Sequence, residues 1–270
     1  MTTWRFRPGP GPCLIAGPCV VEADDVLFAV ADRLAEIGGR FGMPVCFKAS
    51  FDKANRSRAG AGRGPGLDAG LEALRRVKVR SGLPVLTDVH DPAQAAVAAE
   101  VVDVLQVPAF LCRQTDLLVA CGATGKPVNV KKGQWMDPAA MAGAVEKVQV
   151  GGSPEVAVTE RGTFFGYGDL VVDMRSFDRV RAAAGVPVLF DATHSVQRPG
   201  RGGGGASGGD RAAIPGLLAA AAAAGADGFF VETHPEPARA VSDAETQWPL
   251  ADLESLIARA VSVWQAAQAA

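Results

Sequence analysis

A thiol, an imidazole and two carboxylates (Cys19, His194, Glu232 and Asp243) stand far apart in the sequence, and none of them belongs to a compact CxxC or HxxxH pair. Brought to one point, such a set suits a divalent transition ion, since Zn–S and Zn–N bonds of about 2.3 and 2.0 Å demand tight convergence. A second group is cationic: Lys48, Lys53, Arg56, Lys131, Lys132 and Arg161 lie at or just beyond the ends of apolar runs, and Arg113 follows another. Like charges buried together are costly unless phosphate or carboxylate oxygens meet them in charge-assisted hydrogen bonds, so the chemistry implied is the binding of a polyanion. Each feature also has a plainer reading. Cys19 could be a small buried hydrophobe, Lys132 a solvated charge, and His234, two residues beyond Glu232, either a rival ligand or a supporting imidazole.

The elements that must position these groups are short apolar runs: "CLIAGPCVV", "PVCFKAS", "PVLTDVH", "VLQVPA", "PVNVKK", "VAVTERG", "PVLFDATH" and "FFVETH". Several open with Pro, which is harmless at the first position of a strand. Between them lie "GLDAGLEALRRVK", "DPAQAAVAAE", "DPAAMAGAVEKV" and "LESLIARAVSVWQAA", with apolar residues at helical spacing. Unbroken strand–helix alternation means parallel strands joined by right-handed crossovers. Eight such units in 270 residues predict a single-domain α/β fold, a (β/α)8 TIM barrel over residues 13–270, with residues 1–12 as an extension or barrel-capping segment. An open doubly wound sheet is the competitor, but "GPCVVEADD" is no dinucleotide-binding turn.

On a barrel, the runs end in Cys19, Lys48, Asp88, Gln106, Lys131, Arg161, His194 and Glu232, all opening onto one face. Cys19, His194 and Glu232 would come from strands one, seven and eight, which closure makes neighbours, with Asp243 in the loop after strand eight. The Gly-rich stretches 56–66 and 197–210 are expected to be mobile lids.

A net charge of -2, with 48% hydrophobic and 21% charged residues, gives no long-range pull toward nucleic acid or an anionic membrane. The N-terminus has no apolar signal region, and the longest apolar stretch, "IPGLLAAAAAAGA", is short and Ala-rich, so a cytoplasmic protein is expected. Five cysteines without a CxxC pair argue against a disulfide framework.

From about residue 13 to the last helix, the motifs "IAGPCVVE", "FKASFDKANRSR", "QVPAFLCRQTDLL", "VNVKKGQ", "TERGTFFGYGDLVVDMRS", "FDATHSVQRPG" and "ETHPEPARAVSDAETQWPL" resemble the 3-deoxy-D-manno-octulosonate 8-phosphate (KDO-8-phosphate) synthase family. The resemblance implies a transferase on a TIM barrel, usually a homotetramer. It would condense phosphoenolpyruvate with D-arabinose 5-phosphate and water, on the way to a core sugar of lipopolysaccharide. It implies the metal-dependent branch, because Cys19 stands where the metal-free branch carries Asn, with Cys19, His194, Glu232 and Asp243 as ligands of Zn, Fe, Mn or Co. It further implies that Lys48, Lys53, Gln106, Lys131 and Arg161 hold phosphoenolpyruvate. The pentose phosphate would fall to Asn55, Arg56 and Ser57, joined by Arg113 from a neighbouring subunit, with Asp88 near the sugar and the metal. Lys48, Asp88, Lys131, His194 and Glu232 are then the catalytic candidates. The alternative is the related heptulosonate 7-phosphate synthase, which uses erythrose 4-phosphate and typically carries a KPRT-type motif where this chain has "KANRS". A non-catalytic sugar-phosphate sensor is a third reading, which a complete metal set disfavours.

Overall fold

In the computed structural model, residues 4–7, 9, 11–55, 60, 62–201 and 208–269 are described. Eight parallel strands form the barrel: β1 (Cys13–Gly17), β2 (Val45–Lys48), β3 (Val85–Asp88), β4 (Val104–Val107), β5 (Val128–Lys131), β6 (Val156–Glu160), β7 (Val188–Asp191) and β8 (Gly228–His234). They pair in chain order, and β1 closes on β8 with Cys13 opposite Gly228 and Gly17 opposite Glu232. The helices between and after them are α1 (Asp24–Phe41), α2 (Leu67–Ser81), α3 (Pro92–Ala99), α4 (Thr115–Ala123), α5 (Ala142–Gly151), α6 (Ser176–Ala184), α7 (Ile214–Ala223) and α8 (Leu253–Gln268). Parts of both expected lids lie outside the described residues, 56–59 and 61 of the stretch 56–66, and 202–207 of the stretch 197–210.

Local chemistry sets these boundaries. Asp91 caps α3 by accepting from Ala93 N at 2.9 Å, Gln94 reaches back to the cap, and Pro92 opens the helix where its missing N–H costs nothing. Residues Cys13–Gly17 are wholly buried, as expected of a strand covered on both faces. A short hairpin of Thr163–Gly166 and Asp169–Val171 follows β6, and Gln197–Arg198 pairs antiparallel with Gly208–Gly209 after β7.

One apolar layer lies between strands and helices, and a second fills the barrel's lower interior. The lower layer comprises Trp4, Phe6, Cys13, Ile15, Cys46, Leu86, Val104, Ala157, Leu189 and Phe230. Trp4 and Phe6 therefore pack into the end where the strands begin, and Phe6 N donates to Glu155 Oε1 at 3.0 Å. The side chains change character above Phe230, where the strands end.

Candidate active site

Gly17 sets the exit of β1. Its φ of 156° lies in the region that favours glycine, and a Cβ there would meet the Lys48 carbonyl oxygen at 2.0 Å. The close approach of β1 to β2 carries Pro18 and Cys19 inward, and Lys48 Nζ donates to the Cys19 carbonyl at 2.9 Å. The Cys19 N–H donates to Gln247 Oε1 at 3.3 Å, and its thiol donates to Asp243 Oδ2 at 3.0 Å. Asp243 is held with φ of 51°, a conformation that aspartate tolerates better than most residues. Its carbonyl accepts from the backbone N–H of Thr246 and of Gln247, each at 3.0 Å.

Donor atoms of Cys19, Glu232 and Asp243 lie within 4.8 Å of one another. His194 stands at the edge of this group, with Nε2 3.6 Å from Glu232 Oε1 and Nδ1 2.8 Å from Asp191 Oδ2. Because the carboxylate can only accept, the Nδ1 facing it carries a proton, and Nε2 is the ring nitrogen turned toward Glu232. Glu232 Oε2 is buried without a hydrogen-bond partner. A sulfur, two carboxylates and an adjacent imidazole nitrogen, with one orphaned buried oxygen, fit a divalent transition ion. Burial, aided by Glu232 and Asp243, pushes the Cys19 thiol well above its ordinary value, against Lys53 and Lys48. Without a cation the group is a thiol, and coordination is what would make it a thiolate.

The cations line the same mouth. Lys131 Nζ sits 3.0 Å from the centre of the Phe230 ring and donates to Asp191 Oδ2 at 2.6 Å. Burial lowers its ammonium to about 8, with Lys48 adding to the effect and Asp191 opposing it. Lys48 Nζ lies 5.7 Å from the same ring and is paired with Glu232. Lys53 donates to Ser50 Oγ at 2.9 Å. Burial works against its charge, yet Cys19, Glu232, Asp88 and Asp243 outweigh it and hold the ammonium above its ordinary value. Arg161 Nη2 donates to Gln197 Oε1 at 2.6 Å, whereas Nη1 is buried with no partner; burial leaves the guanidinium below its usual value.

Asp88 Oδ2 lies 2.9 Å from His90 Nε2, and Oδ1 has no hydrogen bond. Although burial opposes it, His90, Lys53 and Lys48 hold this carboxyl well below the usual carboxylate range. Gln106 Oε1 accepts from Asn129 Nδ2 at 2.9 Å, and Asn129 Oδ1 accepts from Thr159 Oγ1 at 2.6 Å, so one polar rung crosses β4, β5 and β6.

Not every expected residue joins this group. Asn55 is exposed, and Arg56 and Ser57 lie outside the described residues. Arg113 is exposed on the turn that carries Phe110, whose ring stacks on Trp135 with centroids 5.8 Å apart. Strand β7 ends at Asp191 rather than His194, which a following turn carries inward, its N–H donating to Asp191 Oδ1 at 2.9 Å. Lys132 is buried rather than solvated, 3.5 Å from Glu160 and donating to Thr163 Oγ1 at 3.3 Å. His234 is a supporting imidazole: Nδ1 accepts from Glu236 N at 2.9 Å, and Nε2 faces Glu22 at 3.5 Å.

Three residues of the site were not among those expected. Asp191, fully buried, joins Lys131 to His194; His194, Lys131 and their hydrogen bonds hold its carboxyl far below the usual range in spite of burial, the largest single influence. Its position at the end of "VLFD" was the available signal. Gln197 and Gln247 carry none, because a lone glutamine in a loop has no spacing to read.

A family model described as the DAHP synthetase I family matches residues 8–269. Three curated proteins named 2-dehydro-3-deoxyphosphooctonate aldolase are similar over most of their length. The one from Trichlorobacter lovleyi is 53% identical over 246 residues, 91% of this chain and 90% of its own. That from Pelobacter propionicus is 54% identical over 245 residues, covering 91% and 89%, and that from a Synechococcus species 51% over 265, covering 97% and 92%. No helix among the described residues is long and apolar enough to cross a membrane.

Proposed function

The chain belongs to the DAHP synthetase I family, and from that premise we propose the reaction its mouth performs. It is an enzyme that condenses phosphoenolpyruvate with D-arabinose 5-phosphate and water to give 3-deoxy-D-manno-octulosonate 8-phosphate and inorganic phosphate. The family description names the seven-carbon condensation, but relatives sharing about half of the sequence over nine-tenths of the chain bear the eight-carbon name. The observation that carries the mechanism is the meeting, in one barrel mouth, of the Cys19, Glu232 and Asp243 donors with buried Lys48, Lys53, Lys131 and Arg161.

Lys48, Lys53, Lys131, Arg161 and Gln106 hold the phosphate and carboxylate of phosphoenolpyruvate. Until the substrate arrives, Asp191 compensates Lys131 and Glu232 compensates Lys48, which balances the charge of those two cations. Arg161 Nη1, buried without a protein partner, supports this reading as a donor for a substrate oxygen. Fixing the enol ester presents one face of C3 to the aldehyde, turning a three-body encounter into a bound geometry. The new C–C bond forms from C3 to C1 of the open-chain pentose, water adds at C2, and phosphate leaves by C–O cleavage. Water sheds one proton as it adds and the aldehyde oxygen gains one, so the two transfers balance. Lys131, whose ammonium is lowered to about 8, releases a proton more readily than an ordinary lysine and protonates the departing phosphate, and the C2 hydroxyl returns a proton to it as the ketone forms, so this step balances too. Asp88 and Glu232, both held below the usual carboxylate range against the pull of burial, serve better as hydrogen-bond acceptors and ligands than as resting bases.

Cys19, Glu232, Asp243 and His194 Nε2 would hold a divalent ion, whose chemistry is Lewis-acid polarisation of an aldehyde or water oxygen. Asn55, Arg56 and Ser57 take the pentose phosphate, with Arg113 of a neighbouring subunit in a homotetramer. Turnover with the two aldoses tests the reading: phosphate release should be at least about 100-fold faster with arabinose 5-phosphate than with erythrose 4-phosphate, about 3 kcal/mol in the transition state. The reverse preference would overturn it.

A further inference from the structure

Gln197 lies on the short strand after β7, between the two halves of the site. Its Oε1 accepts from Arg161 Nη2 at 2.6 Å, and its Nε2 donates to Asp243 Oδ1 at 2.8 Å. The other faces of those partners are turned to the proposed ligands. Arg161 keeps Nη1 without a protein partner, and Asp243 directs Oδ2 to the Cys19 thiol at 3.0 Å, where the Ser242 hydroxyl also donates to it at 2.9 Å. A primary amide suits this place. A carboxylate could not donate to Asp243, an ammonium could not accept from Arg161, and a direct Arg161–Asp243 pair would use up the groups that must face substrate and metal.

We infer that Gln197 is a positioning residue that orients Asp243 toward the metal and Arg161 toward the phosphoenolpyruvate anion through one amide. The inference rests on the proposed metal and substrate sites. Carboxylate ligands are oriented by such outer partners, and Gln197 Nε2 is the one on Asp243 Oδ1, the oxygen turned away from the Cys19 thiol. The same amide keeps Arg161 from swinging back onto Asp243. Since each hydrogen bond depends on the other partner holding the amide in place, loss of the side chain is felt at both sites.

The test uses the full chain, with Co2+ as the metal probe and phosphoenolpyruvate titrated into metal-free protein. Gln197→Met, close in size but unable to make either bond, should lower Co2+ affinity about 10–100-fold and shift the thiolate-to-cobalt absorption. It should weaken phosphoenolpyruvate binding to metal-free protein about tenfold. In an Asp243→Ala background, adding Gln197→Met should change Co2+ affinity by less than about twofold, because the effect runs through Asp243. Full additivity of the two losses, or unchanged affinities in Gln197→Met, overturns the inference. If Gln197→Met does not fold, Gln197→Asn, one methylene too short to span both partners, should still lose at least one affinity, and retention of both overturns it. Wild-type protein that binds Co2+ without a thiolate band would instead bring down the metal reading itself, and the inference with it.

Discussion

The two ends of this barrel are built from the same strands and have opposite chemistry. At the lower end Trp4, Phe6, Cys13, Cys46 and their neighbours pack as hydrocarbon, and at the mouth Lys48, Lys131, Asp191 and Glu232 are equally buried but charged. Phe230 divides them, with an apolar layer beneath its ring and the Lys131 ammonium on it. The cysteines make the contrast sharpest. Burial, with Asp227 adding, pushes the Cys13 thiol up to about 12, and burial also raises Cys46, whose thiol lies 3.8 Å from its neighbour's carbonyl. Cys19 is no less buried, yet its sulfur faces Asp243 and Glu232. Burial alone does not make a thiol a site; its partners do.

That comparison can be broken, beginning with the largest effect. Lys131→Met removes the cation above Phe230 and should cut kcat/KM about 10³-fold, in the range for losing a charged transition-state partner, in protein that is still folded at the assay temperature although Asp191 has lost its buried partner. Loss of stability with activity intact would mean that the mouth is structural. Cys19→Ala should lower activity about 100-fold or more and abolish tight metal binding, whereas Cys46→Ala should cost about 1–2 kcal/mol of stability and leave kcat/KM within about twofold. Phe6→Ala should sharpen the contrast from the other end, with about 3–5 kcal/mol lost in denaturant unfolding and kcat/KM nearly unchanged.

The smallest effect is on pH. Lys131 binds an anion only while protonated, and its ammonium is lowered to about 8, so phosphoenolpyruvate affinity should be full below that pH and fall as pH rises through it. Binding titrations across this range should lose this limb in Lys131→Met. In Lys131→Arg, whose guanidinium stays charged, the limb should disappear and affinity persist.

Much of the molecule could be read from sequence, for reasons visible in particular residues. Strands that start with valine directly after Pro44, Pro84, Pro127 and Pro187 announce themselves, and their closure makes Cys19 and Glu232 neighbours without any local motif. The side to which a residue points was harder to read at the ends of the runs. Lys131 and Lys132 are adjacent and both buried, but alternation along a strand sends one to the mouth and the other to Glu160 and Thr163. Asp191 was overshadowed by His194, and the turn between them could not be foreseen from an apolar run that ends in "DATH". Gln197 and Gln247 acquire their roles only when loops distant in sequence meet, so no spacing encodes them.

The most direct test is phosphate release from phosphoenolpyruvate and arabinose 5-phosphate before and after exhaustive chelation, in wild type and in Cys19→Ala. Chelation should abolish wild-type turnover, a divalent transition ion should restore it, and the same ion should restore nothing in Cys19→Ala. Full turnover by the chelated wild type, or by Cys19→Ala, would contradict the metal reading.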